Sequence, residues 1–476
     1  MKFLRTFSSL AAVVLAGGCT LAPKYARPDL AVPDQFPTGS AGAETNVAPA
    51  AAELAWPEFF ADDHLRQIVA LATTNNRDLR LAVLNVERAR ALYGVQRGAL
   101  YPTVQATAAG SRAGVPADLS SSGSRLTSER YDVNLGAAAW EVDLFGRIRS
   151  LKDRALQEYL GTEQARRGAQ ILLVSAVANA YLALAADRES QALAQTTLAA
   201  QQDSYGLIRR RNELGLLPDV DLYRAQSQVE SARRDVARFA QRAALDRNAL
   251  DLLVGAPVPE ELLPANWAAV VPPRDVSAGL PSEVLLRRPD VLQAESQLKA
   301  AHADIGAARA ALFPRISLTA AFGTASGELS GLFQSGSDAW TFAPAATLPI
   351  FDSRSWSALK VTRVQREIAV TQYEKTLQGA FREVADALAV RETVGQQVAA
   401  QDALVQAVAE TYRLSQSRYD KGLDSYLGVL DAQRSLFAAQ QALVLLKLER
   451  LANAVKLYAA LGGGGDLPAE SAPAAP

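Results

Sequence analysis

Apolar residues recur at every seventh position from Leu423 to Tyr458, with a second apolar set interleaved between them. The same spacing extends back to Val370, and Arg391 interrupts it in that earlier part. A sustained repeat of this kind is typical of helices that pack along a coiled-coil seam. The pattern therefore predicts long paired helices in the C-terminal part of the protein.

Two long stretches of the chain contain no proline. Because proline disrupts helix interiors, such gaps predict long helices. Continuous helices over residues 147–213 and 353–420 would each measure about 100 Å, at about 1.5 Å per residue. The proline-free stretches lie between Pro116 and Pro218 and between Pro349 and Pro468.

The chain also contains an internal duplication. The motif GVQRGALYP, which ends at Pro102, returns as GAARAALFP, which ends at Pro314. Further along, RNELGLLPDVDLYRAQ aligns with RYDKGLDSYLGVLDAQ, so that Gly215 matches Gly422. Glycine can end a helix in the left-handed conformation, which predicts a turn at each of these two positions. Each repeat is thus predicted to contain a helix, a β-hairpin, a long helix, a turn and a returning helix.

Apolar and polar residues alternate between the first helix and the long helix of each repeat. PRISLTAAF (residues 314–322) and YDVNL (residues 131–135) carry this pattern. Membrane-spanning strands of about ten residues alternate in this way, and so does a soluble hairpin packed on helices. If the strands span a membrane, four of them cannot close a barrel, because lipid tolerates no open sheet edge. Several chains would then have to share one barrel.

The N-terminus, MKFLRTFSSLAAVVLAGGC, combines basic residues, an apolar stretch and small residues before Cys19. It predicts a secretory signal over residues 1–18. LAGGC resembles a lipoprotein box, which predicts a lipid on Cys19, whereas ordinary cleavage would leave a free thiol. Cys19 is the only cysteine of the exported chain, which favours lipidation. Thr20 in the next position, in place of Asp, points to the outer membrane.

Charge balance and candidate chemistry narrow the class of function. Lys and Arg number 49 and Asp and Glu number 50, so the composition does not call for a nucleic-acid partner. Asp62, Asp63 and His64 are candidate metal ligands, and Glu141 with Asp143 is a candidate carboxylate pair. No further residues converge on either set in the sequence. We therefore predict no enzyme activity, no metal site and no cofactor apart from the covalent lipid.

Four stretches resemble the outer-membrane factor family, specifically the OprM-like lipoprotein branch of the TolC-type channels. The longest is GLPSEVLLRRPDVLQAESQLKAAHADIGAARAALFPRISLTAAFG (residues 279–323). The others are WEVDLFGRIRS (140–150), LPIFDSRS (348–355) and SYLGVLDAQRSLFAAQQAL (425–443). Together with the signal peptide, the resemblance covers essentially the whole mature chain.

The resemblance implies a mainly α fold with a small β part. It implies a homotrimer whose chains each contribute four strands to a shared twelve-stranded transmembrane β-barrel and whose long helices form a periplasmic α-barrel. Its implied partners are a periplasmic adaptor and an inner-membrane pump of the resistance-nodulation-division (RND) type. In this interpretation the chain is the passive outer-membrane exit duct of a tripartite efflux pump in a Gram-negative cell. It would export drugs, dyes or solvents.

The resemblance also implies site residues. Asp431, in the VLDAQ motif, would form a ring that narrows the periplasmic end of the tunnel, although Gly428 replaces a second acid found there in TolC. The expected aperture or gate residues are Asp431, Leu427, Arg434, Asp424, Asp219 and Tyr419. The expected adaptor-contact tips are Gly215, Leu216, Gly422 and Leu423. Pro102 and Pro314 would mark the helix-to-strand junctions.

The predicted organisation follows from these patterns. After the signal, residues 19–60 form a lipid-anchored equatorial segment. The first repeat covers 61–254, with a hairpin at 102–142 and long helices at 147–254. A Pro-rich equatorial linker covers 255–289. The second repeat covers 290–461, with a hairpin at 314–350 and long helices at 353–461, and residues 462–476 form a flexible tail.

Other function classes remain open at this point. A type I protein-secretion duct and a heavy-metal export duct belong to the same channel class. A periplasmic adaptor lipoprotein also has coiled-coil hairpins, but it lacks a duplication over its whole length. A lipid-anchored hydrolase would require a nucleophile or a carboxylate site that the sequence does not display.

Overall fold

A computed structural model describes residues 20–29, 31–37, 51, 54–277 and 281–464 of the chain. The structure is mainly helical, with one small antiparallel sheet, as the sequence patterns predict. The helices are α1 Trp56–Phe59, α2 Asp63–Asn75, α3 Arg77–Gly98, α4 Arg147–Glu213, α5 Asp219–Val254, α6 Pro289–Ala310, α7 Ser353–Asp420 and α8 Tyr426–Ala460. The strands are β1 Val104–Val115, β2 Leu126–Val142, β3 Arg315–Ser326 and β4 Asp338–Thr347.

The proline-free stretches form very long helices, which confirms that prediction. Helix α4 has 67 residues and its counterpart α7 has 68. The returning helices α5 and α8 have 36 and 35 residues. In folded proteins most of the stability of a helix comes from packing of its apolar face, so these helices depend on the surfaces that they pack against.

The C-terminal seam is confirmed along most of α8. Leu430, Val444, Leu451 and Tyr458 keep the seven-residue spacing and are buried. The predicted start at Leu423 is wrong, because this residue precedes α8 and remains 63% exposed. A leucine in a turn can fall on a heptad position by spacing alone, since the heptad pattern does not detect where a helix ends.

Both long helices end in the predicted left-handed glycine. Gly215 and Gly422 each have φ of 72°. Leu216 N–H donates to Arg211 O at 2.9 Å, and Leu423 N–H donates to Arg418 O at 2.9 Å. This bond spans five residues, and the glycine N–H bonds three residues back, so each turn is a Schellman motif. The backbone of the two turns is therefore the same.

The described residues form two compact units. Each unit draws on both repeats. The first unit combines the described residues of Met1–Asp29, Asn85–Thr162 and Gln293–Tyr373. The second combines those of Leu30–Leu84, Glu163–Leu292 and Glu374–Pro476.

The first unit contains the sheet, in the order β1-β2-β3-β4 with every pair antiparallel. β2 and β3 join the two repeats, because Leu135 pairs with Phe322. Gly136 lies on β2 and Gly323 on β3. A Cβ built on Gly323 would lie only 2.0 Å from the carbonyl oxygen of Val133. A side chain at Gly323 would push the strands apart, so glycine permits the close pairing of the repeats.

The two faces of the sheet differ in chemistry. The register aligns apolar residues across all four strands in the row Ala106, Leu135, Phe322 and Trp340. Alternate positions on the same strands are mostly Ala, Ser, Thr and Gly. On β2 these positions also include Arg130, Asp132 and Asn134. The sheet therefore presents one face with a large apolar band and one face of small and polar residues.

The second unit has an aromatic and ionic core. The rings of Phe59 and Tyr458 stack with centroids 3.8 Å apart. Arg288, from the RRPD stretch, donates to Ala460 O at 2.6 Å and pairs with Glu383 at 2.8 Å. Its guanidinium is nearly buried, so these partners are required to offset the loss of hydration. Arg288 thereby fastens the end of α8 to α7.

One described helix, α4, contains a window of sufficient length and hydropathy to cross a membrane. Within that window 61% of the residues are buried inside the protein. Most of the large apolar side chains here, including Val177 and Leu184, are core residues of the protein.

Candidate functional site

The predicted tip residues come together at one end of two helical hairpins in the second unit. The first hairpin turns between α4 and α5, and the second turns between α7 and α8. Leu216 is 69% exposed and Leu423 is 63% exposed. The leucine that follows the glycine in a Schellman motif commonly packs back on its own helix. Here both leucines extend into solvent, which leaves an apolar surface available at each turn.

A compact apolar cluster packs against these two turns. Tyr426 and Leu430, from α8, are buried in it together with Ile208 of α4. Tyr419, at the end of α7, also lies in the cluster and is 7% exposed. Tyr419 is therefore a core residue of the tip, and any role in closure must act through packing.

Across the second turn, the rings of Tyr419 and Tyr426 lie with centroids 5.2 Å apart. The guanidinium of Arg211 sits over the Tyr419 ring, 5.5 Å from its centroid. Because Arg211 belongs to α4, this cation–π contact links the two hairpins. Burial raises the pKa of Tyr426 to about 12.

Across the first turn the corresponding pair is polar. The Asn212 side chain donates to Asp219 at 2.9 Å and to Leu217 O at 2.9 Å. Asp219 is thus held against its own hairpin by Asn212. Asp219 is one of the predicted gate residues, and the structure places it beside the turn of the first hairpin.

The remaining gate candidates lie on the exposed side of the second hairpin. Asp431 forms an ion pair with Arg434, one turn further along α8. Leu427, one turn before Asp431, is 45% exposed. Asp424 accepts hydrogen bonds from Arg418, and this contact lowers the pKa of the Asp424 carboxyl. The structure therefore brings these candidates together on one side of the tip, with both acids already paired.

Sequence reasoning missed four residues that organise the tips. Alignment of the repeats was the signal that could have found them. It matches Arg211 with Arg418, and it matches Asn212 and Asp219 with Tyr419 and Tyr426. The missed residues are Arg211, Asn212, Arg418 and Tyr426.

The other predicted positions occupy connecting segments. Pro102 lies between α3 and β1, and Pro314 lies between α6 and β3. Cys19 and the signal peptide lie outside the described residues.

The candidate catalytic groups have structural partners. Asp62 caps α2 by accepting from the backbone N–H of His64 and Leu65. Glu141 pairs with Arg147 at 2.7 Å and with Arg315 at 2.6 Å.

The second member of the carboxylate pair is held in the same way. Asp143 pairs with Arg149 at 3.1 Å. Within the described ranges, no group of three or more His, Cys, Asp or Glu residues could hold a metal ion. These carboxylates act as caps and ion pairs in the fold.

Comparison with known proteins gives a consistent result. A family model described as "Outer membrane efflux protein" matches residues 68–256 and 280–463, which is more than half of the chain. The toluene efflux pump outer membrane protein TtgC of Pseudomonas putida is 47% identical over 457 residues, covering 94% of this chain and 93% of the relative. The antibiotic efflux pump outer membrane protein ArpC of Pseudomonas putida is also 47% identical, with the same coverage.

The likeness extends to solved structures. The open state of the MtrE outer membrane channel of Neisseria gonorrhoeae superposes with a TM-score of 0.84 and 39% identity. That comparison covers 94% of this chain and 98% of MtrE. Both the helices and the small sheet therefore have counterparts in a known outer membrane channel.

Proposed function

Since the chain belongs to the outer membrane efflux protein family, we propose that it is the exit duct of a tripartite efflux pump. In this role it conducts compounds passively from a periplasmic adaptor and an RND-type inner-membrane pump to the exterior. It carries out no enzymatic step and needs no metal or other cofactor. The pump supplies the energy.

The observation that carries the proposal is the open four-stranded sheet with one apolar face. In the sheet that the structure describes, β1 and β4 are edge strands. A lipid-embedded sheet cannot leave such edges unpaired, because each free N–H and C=O costs several kcal/mol there. Pairing of β1 with β4 of the next copy removes the edges. Three copies give a closed barrel of about twelve strands, within the range of known bacterial barrels.

The sheet faces assign the lipid and pore sides of this barrel. Residues such as Leu135, Phe322 and Trp340 face the lipid, which favours apolar side chains. The small and polar residues on the opposite face then line the pore. Polar groups such as Arg130, Asp132 and Asn134 suit a water-filled lumen.

The tips and the gate candidates act where the duct meets the adaptor. Leu216 and Leu423 supply apolar surface for the adaptor. Three copies of Asp431 around a narrow axis would attract cations and repel one another unless paired, and Arg434 provides that pairing. Opening then requires rearrangement of these ion pairs.

The lipid predicted on Cys19 anchors the mature N-terminus in the outer membrane. Acyl chains contribute about 0.8 kcal/mol per buried methylene, so several chains together give stable anchoring. The cargo is small and apolar, because relatives of near 47% identity are named for toluene and antibiotic efflux.

The native mass of the detergent-extracted protein tests the shared barrel. A trimer that also conducts ions in a planar bilayer is the expected result. A stable monomer would overturn the barrel proposal. Trimers without conductance would retain the assembly but exclude a resting open pore, and export assays with the cognate pump would then decide whether the duct opens.

A further inference from the structure

The residues that follow Cys19 are held against the first unit by a buried ion cluster. We call residues 20–29 the N-terminal strap. Arg27 donates two hydrogen bonds to the Glu295 carboxylate, at 3.2 and 2.9 Å. Tyr25 Oη donates to Glu295 at 3.0 Å, and Lys299 Nζ lies 3.0 Å from the same carboxylate. The Glu295 side chain is only 5% exposed, so its charge depends on these partners.

The strap is also fixed at its start, next to the cysteine. Thr20 Oγ1 lies 3.4 Å from Ser150 Oγ of α4. Arg309, near the end of α6, donates to Leu21 O at 3.1 Å. The strap therefore touches one helix from each repeat, α4 and α6.

A glycine makes room for this path. A Cβ built on Gly306 of α6 would lie 2.8 Å from Ala22 N and 2.6 Å from Ser150 Oγ. Distances this short are not compatible with a packed side chain, and one of the two is to backbone. The absence of a side chain at Gly306 therefore allows the strap to pack closely against α6.

We propose that the N-terminal strap is a rigid mount for the lipidated N-terminus, with Gly306 and Glu295 as its seat. The inference rests on the proposed lipidation of Cys19. Thr20 directly follows that cysteine and is fixed near the start of α4, which begins soon after β2 ends at Val142. The mount delivers the acyl chains to the membrane surface beside the proposed barrel. A free tether would let them insert anywhere within its reach.

Two glycine substitutions in the first unit test the mount. Gly94, in α3, has open space around its Cβ position, so Gly94→Ala is the matched control for Gly306→Ala. Helix propensity alone predicts that both substitutions stabilise their helices. The mount predicts the opposite result for Gly306→Ala, because overpacking will expel the strap.

The measurement is tryptic release of the acyl-labelled N-terminal peptide from purified oligomers. Trypsin cuts after Lys24, whereas the Arg27–Pro28 bond resists it, so Lys24 reports whether the strap is docked. We expect cleavage of Gly306→Ala at least about tenfold faster than cleavage of the wild type and of Gly94→Ala. The oligomers should remain intact on native gels. Equal cleavage rates in all three proteins would overturn the mount.

A double-mutant cycle tests whether the ion pair between Arg27 and Glu295 holds the strap in place. Arg27→Met and Glu295→Gln should each speed cleavage, and the double variant should be no faster than the faster single variant, because they share one interaction. Additive effects would exclude the Arg27–Glu295 seat. If the wild type takes up no acyl label, the lipidation proposal fails, while N-terminal sequencing of the cleaved protein still tests the docking.

Discussion

The turn between α4 and α5 and the turn between α7 and α8 share one backbone and differ in side-chain chemistry. Each has a left-handed glycine with φ of 72° and an exposed leucine after it. At aligned positions, however, the first turn pairs Asn212 with Asp219 by a hydrogen bond of 2.9 Å, and the second pairs the rings of Tyr419 and Tyr426. Glycine fixes the path of the chain, so the contact across the turn was free to diverge after duplication. One tip is therefore polar and solvated, and the other is closed by an aromatic core.

The largest expected effect comes from the leucines that the two tips share. Leu423→Asp should abolish export, because a charge placed in the apolar adaptor contact remains unpaired on binding. Trimers should form normally, since the side chain is exposed in the protein. The measurement is drug susceptibility of cells that produce the variant, with oligomers checked on gels. Leu216→Asp is the matched variant in the first repeat, and wild-type resistance in both would contradict adaptor docking at the tips.

The difference between the tips should appear next in their local stability. Tyr426→Ala removes a buried aromatic side chain and should destabilise the second tip by about 3 kcal/mol, or about a hundredfold in amide exchange. Asn212→Ala removes the hydrogen bonds to Asp219 and to Leu217 O and should cost about 1 kcal/mol at the first tip. Hydrogen exchange followed by mass spectrometry resolves the two turns. Equal acceleration in both variants would mean that the aromatic cluster contributes no extra rigidity.

A smaller effect is expected from the charges near the second tip. Asp431→Ala removes the ion pair with Arg434, which contributes about 0.5 kcal/mol at an exposed position. With three copies acting together, the open probability should rise about tenfold. Arg224, the aligned residue of the first repeat, pairs with Asp221 and provides the control as Arg224→Ala. Single-channel recording distinguishes the two variants, and an unchanged open probability for Asp431→Ala would exclude Asp431 from closure.

The smallest effect concerns alkaline pH. Burial raises the pKa of Tyr426 from 10.0 to about 12, so the folded tip holds the phenol proton more tightly than the unfolded chain does. Its stabilisation is complete below pH 10.0 and is lost as the pH rises through about 12. Phenolate difference absorbance should show this late titration and lose it in Tyr426→Phe. Tyr223→Phe changes a tyrosine that is 66% exposed, and as the control it should leave the late titration in place.

The features predictable from sequence are those that local chemistry determines. Missing prolines indicated α4 and α7, and Gly215 and Gly422 marked their ends, because both residue types act through their own backbone. Alternation indicated the strands for a similar reason, since side chains on a strand point to opposite faces in turn. The heptad pattern failed at Leu423, because the seven-residue apolar spacing extends to a residue that precedes the start of the helix at Tyr426.

The contacts between distant segments were not predictable. Arg211 over Tyr419 joins residues far apart in the chain, and only the folded hairpins bring them together. The strap is a stronger case, because Arg27 and Glu295 are separated by 268 positions. Residues 19–60 were expected to form one segment, yet nothing in their composition specifies a glycine on α6 as the seat of the strap. Such pairings depend on tertiary packing that a single sequence does not display.

The matched lengths of the helical hairpins constrain how this protein can evolve. Each outgoing helix and each returning helix differs from its counterpart in the other repeat by a single residue. An extra helical turn in one long helix would displace its terminal glycine relative to the glycine of the other hairpin. The returning helix would then need an extra turn as well. Insertions and deletions should therefore survive only as compensated sets across both arms of both hairpins. Natural length variation should instead collect in the loops between the strands.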